Sequence, residues 1–580
     1  MKVYSTSERQ IERPAAPAGR YERTEALLEI LNARGVDAIF MNPGLDVSVI
    51  QAGLAKGLAA GRRVPKAVLC LDESVALSAA HGYYMVTGRP QVVMVHTELG
   101  TLQLGGSLVN VQWGRVPVII LTGEPAAGER VTWRGEPYDQ GSIVRNSVKW
   151  EHALKSGDNI HEVLEKAFSV ACSDPCGPVY VTYPMMGYMT DEIDREEISA
   201  ATSRRSVQLS PADLQKLEGA AGMLALAKRP VIVTGFAGRH PQSVTELVKL
   251  AETLGAPVIS GPQRMNFPTT HSLCAGIESR PIPHIQEADV VLAIDYDTGY
   301  VAAAEVPRPE AAVVHIGVDP KTQGRPIWGR APDLFLKTDS SLAIPILTQA
   351  IDRRLTPETR ASVRQRTQEL ESLHREQRDR QRAIAMASAG QQPISPDWLS
   401  RCVDEVIDDD TIVVNNIISH SKSVAEQIRR TKPGTLLSCP GGSINWALGA
   451  ALGAKLAAPD RTVVSLVTDG GFIWGCPVAT LWGVNAYHAP FLAVIYNNQA
   501  YGSIKRLVNT MSGGKLSDEM AFDVGVQITP SPDYAAIAQA CGAYGRTVAD
   551  PAKLIPALQE GLAEVRSDKP AVVDVRLANG

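Results

Sequence analysis

Aromatic residues are scarce in this chain, 5% of 580, and no charge sign dominates: 57 Lys and Arg stand against 62 Asp and Glu, a net charge of −5. That near balance gives no electrostatic reason to expect nucleic acid or an anionic membrane as a partner. No stretch approaches the ~20 uninterrupted apolar residues of a membrane span. The opening MKVYSTSERQIERPAAPAGR lacks the apolar core of a secretory signal and reads as a polar arm. The final VDVRLANG carries no address tag. Cysteine is sparse, eight in all, and only Cys172 and Cys176 are close, with no second Cys or His pair to complete a zinc site. Reduced thiols in a cytoplasmic protein are the expectation.

What the chain does have is alternation. Short β-branched runs recur between Ala- and Leu-rich stretches: VDAIFMN (36–42), KAVLCLD (66–72), QVVMVHT (91–97), VPVIILTGE (116–124) and GPVYVTY (177–183). Strands apolar on both faces belong to parallel sheets covered by helices. A polar break near 190–210 precedes a second series: RPVIVTG (229–235), APVISG (256–261), ADVVLAID (288–295) and AAVVHIG (311–317). A third series holds TIVVNN (411–416), RTVVSLVTDG (461–470), APFLAVIYNN (489–498) and PAVVDVRL (570–577). Length alone suggests about four domains, but the pattern divides better into three doubly wound α/β units at 22–190, 208–351 and 396–580. The remainder is the arm at 1–21 and a hydrophilic connector at 352–395. Between Arg353 and Arg382 that connector has nine arginines and five acidic residues. With no interleaved aromatics it reads as a solvated linker helix, not a nucleic-acid patch.

The chemistry concentrates in residues 468–502, TDGGFIWGCPVATLWGVNAYHAPFLAVIYNNQAYG. One apolar strand ends in Asp469-Gly470-Gly471 and the next in Asn497-Asn498. In a parallel sheet both ends lie on the carboxyl edge, where such folds bind ligands. Glycines there let a phosphate approach the backbone. A carboxylate and an amide oxygen, completed by diphosphate oxygens, suit Mg²⁺.

This segment resembles the thiamine-diphosphate-dependent decarboxylase and acetolactate-synthase family, whose motif runs from Gly-Asp-Gly to Asn-Asn. Two departures are visible: Thr468 stands where the family has the first Gly, and the Asp-to-Asn interval is about two residues longer. The resemblance implies Asp469, Asn498 and the Ala500 carbonyl as Mg²⁺ ligands, with Gly470, Gly471, Tyr501 and Gly502 beside the cofactor. LDESVALSAAHGYYMVTGRPQVV resembles the family's E-x-A-A-x-x-A-x-G-Y-A-x-x-T-G-x-P run. It implies Glu73 as the carboxyl group that hydrogen-bonds the aminopyrimidine and promotes loss of the thiazolium C2 proton. In CPGGSINWALGAALGAK (439–455), Ile444 takes the place of the wedge under the cofactor, and Gly442 that of a carbonyl acceptor for the pyrimidine amino group.

Residues 93–124 are most similar to the benzoylformate-decarboxylase branch. His96 lies four residues before Gly100-Thr101-Leu102-Gln103, as a His precedes the G-T-G-N turn there, and is implied as a proton donor or acceptor. The turn Asn42-Pro43-Gly44 implies a cofactor contact at Gly44. Leu45 replaces the branch's serine, which removes a hydroxyl from the substrate position and argues against an aryl-glyoxylate substrate. Gln103, and Gln140 in Tyr138-Asp139-Gln140, are further substrate candidates, the latter echoing an acetolactate-synthase position. His420 in NNIISHSKS (415–423) is a second-tier catalytic candidate. The middle unit lacks a G-x-G-x-x-G fingerprint, and IDYDTGY (294–300) replaces the family's flavin segment, so FAD is not expected.

The resemblance implies pyrimidine-binding, central and diphosphate-binding domains, with active sites between subunits of a homodimer or homotetramer. The implied reaction is cleavage or decarboxylation of a 2-oxo acid through a C2 ylid and an enamine, giving an aldehyde or a transferred acyl unit. Alternatives are an acetolactate-synthase-like carboligase and a catalytically silent homologue acting as a binding subunit.

Overall fold

The computed structural model describes residues 19–124, 139–184, 187–194, 209–277, 283–296, 306–318, 331–439 and 441–578. Tyr138, most of the N-terminal arm and the second half of IDYDTGY lie outside the described residues.

Each apolar series forms one six-stranded, all-parallel sheet. In the first, Ala38–Asn42, Lys66–Leu69, Gln91–Val95, Val118–Glu124, Trp150–Ala153 and Val179–Pro184 stand in the order 2-1-3-4-6-5 by chain position. The third sheet repeats that order with Ile412–Asn415, Leu436–Ser438, Val463–Thr468, Leu492–Asn497, Tyr544–Val548 and Ala571–Arg576. The central sheet is ordered 3-2-1-4-5-6 instead. These are three doubly wound α/β domains. In the first and third, the order reverses between strands 1 and 3, which opens a crevice at their carboxyl ends.

Five helices position the candidate residues: α1 (Glu73–Thr87), α2 (Thr97–Gln103), α3 (Gly105–Trp113), α4 (Ala447–Ala457) and α5 (Asp469–Trp474). Helix α1 starts where Asp72 accepts hydrogen bonds from the Ser74 and Val75 N–H groups, at 2.8 and 3.1 Å. It ends at Gly88, whose left-handed conformation (φ 68°) stops the helix. Its residues from Glu73 to Met85 are buried, because α1 packs along α4 of the third domain. That contact runs through small residues. A Cβ on Gly82 would overlap the Ala450 carbonyl, and one on Gly453 would overlap the Ala79 carbonyl. The resulting core joins both outer domains, with Trp446 fully buried between them.

The connector contains a 31-residue helix, Pro357–Ala387, capped by Thr356 and burying only Gln381 and Ala385. Its guanidinium groups reach neighbouring domains: Arg366 donates to the Leu254 carbonyl and Arg378 to the Glu426 carbonyl. All eight cysteines are free thiols. No helix among the described residues is long and apolar enough to cross a membrane.

Candidate active site

At the switch point of the first sheet, strand 1 runs into Asn42 and strand 3 into His96. The chain turns sharply at Gly44, where a Cβ would overlap the His96 ring, so glycine is required for the ring to lie against the turn. The next turn, Leu45–Val47, buries the Asp46 carboxylate completely. Its Oδ2 accepts the Gly123 N–H at 2.9 Å and the Thr97 N–H at 3.3 Å, while Oδ1 faces His96 Nδ1 at 2.7 Å. A carboxylate only accepts, so the His96 Nδ1 carries a proton toward Asp46 and Nε2 is left to face the turn's open side. The His96 side chain is 37% exposed. Asp46 was not among the residues singled out from sequence. Its position just after the Asn-Pro-Gly turn, at a strand's carboxyl end, was the available signal.

Glu73 is the first residue of α1 and is 8% exposed. Burial raises its pKa, against the lowering effect of the Asn42 amide and of His96. Glu73 Oε1 also approaches Gly100 so closely that a Cβ there would stand 3.0 Å away. Glu73, His96, Asn42 and Gly44 thus meet in one place. Gln140 lies just beneath: its Nε2 donates to the Tyr180 hydroxyl at 2.8 Å, and that hydroxyl pairs with Thr101 at the same distance. Leu45 is 88% exposed and Gln103 is exposed, so neither is buried with this group.

The third domain carries a second group of candidate residues. Thr468 is the N-cap of α5, accepting the Gly471 N–H on its hydroxyl at 3.0 Å. A helix cap explains why a hydroxyl residue tolerates the place of a glycine. Asp469 is 2% exposed. Its Oδ1 accepts the Gly470 N–H at 2.8 Å, while its buried Oδ2 has no hydrogen-bond partner. Burial pushes its pKa up to about 6, even though the Gly470, Gln499 and Ala500 N–H groups favour the ionised form. Those contacts bring Asp469 onto the segment after strand 4. There Asn498 is buried with an amide nitrogen lacking a partner, and Ala500 is buried beside it. Backbone bonds from Ile528 to Gln499 and from Tyr501 to Val526 hold that segment in place. Asn497, the other half of the Asn-Asn pair, turns inward and donates to Asp574 at 2.8 Å.

Gly442 has a left-handed φ of 79°. Asn110, on α3 of the first domain, holds its turn with both amide atoms. Nδ2 donates to the Ser443 carbonyl and Oδ1 accepts the Ser443 N–H, both at 3.1 Å. Ile444 follows, half-buried, with its carbonyl against Gly471. Asn110 is a second residue that sequence reasoning missed; nothing local marks an amide inside a helix as a clamp on a distant loop. His420 is buried, its Nε2 is unpartnered, and burial together with Arg506 pushes its pKa down to about 4. Arg506 and Ser503 of the helix Gly502–Met511 bond to Ser419, which places His420 beside the start of that helix.

Two α/β domains of one strand order, each with candidate residues at the carboxyl edge of its sheet, stand on a three-domain scaffold. Models of the thiamine pyrophosphate enzyme match all three domains. The N-terminal TPP binding domain matches residues 22–146, the central domain 217–344 and the C-terminal TPP binding domain 417–575. The chain belongs to the thiamine pyrophosphate enzyme family. It is 26% identical to a benzoylformate decarboxylase of Pseudomonas aeruginosa, over 95% of this chain and 98% of that one. It is 25% identical to an acetolactate synthase of Mycobacterium bovis, over 95% and 87%. Its fold matches that of the thiamine diphosphate-dependent 4-hydroxybenzoylformate decarboxylase of Rhodococcus jostii RHA1 with a TM-score of 0.79 and 24% identity, over 97% of this chain and all of that one.

Proposed function

We propose that this chain binds thiamine diphosphate with Mg²⁺ and cleaves a 2-oxo acid, releasing CO₂ and an aldehyde or passing the acyl unit to a second carbonyl. The observation that carries this reading is the buried, unpartnered Oδ2 of Asp469 beside the buried Asn498 amide. A buried carboxylate oxygen left without a donor offers a place for a cation. Among the described residues no three acidic, His or Cys side chains gather as a metal cluster. A cation at Asp469 would be held with the Asn498 amide oxygen, the Ala500 carbonyl and phosphate oxygens, an oxygen-rich environment of the kind Mg²⁺ favours.

Gly470, Gly471, Tyr501 and Gly502 flank the diphosphate in this reading, with Gly44 near the other end of the cofactor. Ile444 and the Gly442 carbonyl would hold the thiamine part of the cofactor. The bound cofactor supplies the electron sink for the broken carbon–carbon bond. Glu73, whose burial favours its protonated form, holds a proton against the aminopyrimidine. His96 Nε2 accepts or returns the substrate's proton, since Asp46 fixes the proton on Nδ1. His420, held neutral by burial, serves the third-domain side of the site. Leu45, Gln103 and Gln140 are assigned to the substrate side, with Leu45 offering no hydroxyl to a substrate carboxylate.

The active unit is a homodimer or a pair of dimers. Leu45, Leu71, Leu99 and Leu102 are exposed on the first domain's carboxyl edge, and Tyr501, Ile504, Leu507 and Met511 on the third domain's. Apolar surface of that extent fits cover by a second copy. Incubation of purified protein, thiamine diphosphate and Mg²⁺ with a panel of 2-oxo acids, following CO₂ and carbon products together, tests the reading. Aldehyde indicates a decarboxylase and a hydroxyketone a carboligase. Absence of cofactor binding contradicts both.

A further inference from the structure

A pocket of about 240 Å³ opens at the carboxyl ends of strands 1 and 2 of the third sheet, beside Asn415 and Ser438. Gly442 forms part of its wall, so the pocket adjoins the residues assigned above to the thiamine part of the cofactor. Pro262 and Thr269 of the central domain complete the wall. Three backbone bonds tie that segment to the third domain. The Ser438 N–H donates to the Gln263 carbonyl at 2.9 Å, the Met265 N–H to Leu436 at 3.3 Å, and the Thr269 N–H to Arg430 at 2.9 Å. The pocket is thus held by the fold itself.

Its lining is of two kinds. Val424, Ala425, Ile428 and Leu436 offer only aliphatic carbon, and among the described residues no aromatic side chain and no carboxylate lines the pocket. Its one charged side chain, Arg430, is buried and already engaged. Carbonyls of Arg429, Asp408 and Thr411 occupy its Nε and Nη1, and Asp404, Asp409 and Asp408 balance its charge. A second carboxylate or an ammonium group on a ligand would lose its water here without gaining a free counter-charge. Asn416 stands apart. It is 5% exposed, its Oδ1 has no partner, and among the described residues its side chain makes no hydrogen bond. An amide so placed can donate to a carboxylate or carbonyl oxygen.

We infer that this pocket takes the side chain of the substrate, and that the substrate is a 2-oxo acid with an uncharged aliphatic chain of several carbons, not pyruvate, a dicarboxylate or an aryl acid. Asn416 donates to its polar head, and the aliphatic wall covers its tail. A methyl group would leave most of the 240 Å³ unfilled, whereas each methylene buried strengthens binding about fourfold. An aryl ring would find no aromatic face to pack against. The inference rests on the proposed function, since that reading brings a 2-oxo acid to the site.

Two measurements test it on protein supplied with thiamine diphosphate and Mg²⁺, with cofactor binding followed alongside. In the first, kcat/KM is compared for pyruvate, 2-oxobutanoate, 2-oxohexanoate, 2-oxoglutarate and benzoylformate. It is expected to rise about fourfold per methylene up to 2-oxohexanoate, with 2-oxoglutarate and benzoylformate at least tenfold below that acid. Ala425→Leu, which fills the pocket, should lower the ratio of 2-oxohexanoate to pyruvate at least tenfold. In the second, calorimetry without turnover compares hexanoate with acetate. Hexanoate is expected to bind at least tenfold more tightly, and Asn416→Leu to weaken both. Protein that binds no cofactor contradicts the proposed function, while the hexanoate comparison on that protein still decides the pocket. The inference itself is overturned if the cofactor binds and pyruvate, 2-oxoglutarate or benzoylformate is the best substrate. It is equally overturned if hexanoate binds no more tightly than acetate, or if Ala425→Leu slows 2-oxohexanoate and pyruvate alike.

Discussion

The Asp46–His96 pair makes a sharp demand on a single atom. Two backbone N–H groups occupy Asp46 Oδ2, so in Asp46→Asn the amide oxygen must stay with them and the NH₂ must face His96. The histidine then keeps its proton on Nε2, the wrong nitrogen for accepting one. The expected loss in kcat is about 10²-fold or more with a smaller change in KM, from steady-state kinetics. Nitrogen-15 shifts of His96 should report the exchanged tautomer, which a merely structural effect would not produce. His420 gives a second prediction through pH. Its folded pKa of about 4 lies below the unfolded value near 6.5, so the unfolded chain binds the extra proton. The stability is complete above pH 6.5 and is lost as pH falls toward 4, on the order of 3 kcal/mol for the whole window. Urea unfolding at pH 7 and 4.5 should show a shallower loss in His420→Gln. Glu73, Asp469 and Asn498 were legible in the sequence because each stands inside a stretch that resembles a family motif, although the Asp-to-Asn interval is about two residues longer. Asp46 was not, because its partner lies 50 residues away and only the sheet brings them together.

Among the elements, the α1–α4 contact carries most of the join between the outer domains. Gly82 and Gly453 let the two helix backbones approach until each faces a carbonyl of the other. Gly82→Ala should therefore force the helices apart and lower stability by about 1–3 kcal/mol, the usual cost of overpacking. Thermal unfolding measures it; no shift in midpoint would mean that the contact is looser than the packing indicates. The Ala- and Gly-rich composition of both stretches is plain in the sequence, but such runs also pack within a single domain. That these two pack on one another follows from the three-dimensional placement of the domains. The parallel strands were readable because runs such as VVMV and VVSLV are apolar on both faces. The turn holding Gly442 was readable as a loop, but its clamp by Asn110 was not, since that bond spans 333 residues.

For the whole molecule, three α/β series were visible as three blocks of strands separated by polar stretches. The pocket beside Gly442 was not, since its walls come from distant segments of two domains. Assembly is the prediction at this scale: light scattering should give twice or four times the 62.2 kDa of one chain. A monomer that retains full turnover would contradict a site shared between subunits. In the proposed function Glu73 controls the proton chemistry of a bound thiamine diphosphate. The most direct measurement is the rate at which the cofactor's C2 proton exchanges with deuterium on the parent protein and on Glu73→Gln, with cofactor binding measured for both. Fast exchange is expected on the parent and a rate lower by at least 10²-fold on the variant, with the cofactor still bound. Equal exchange on the two proteins would contradict it.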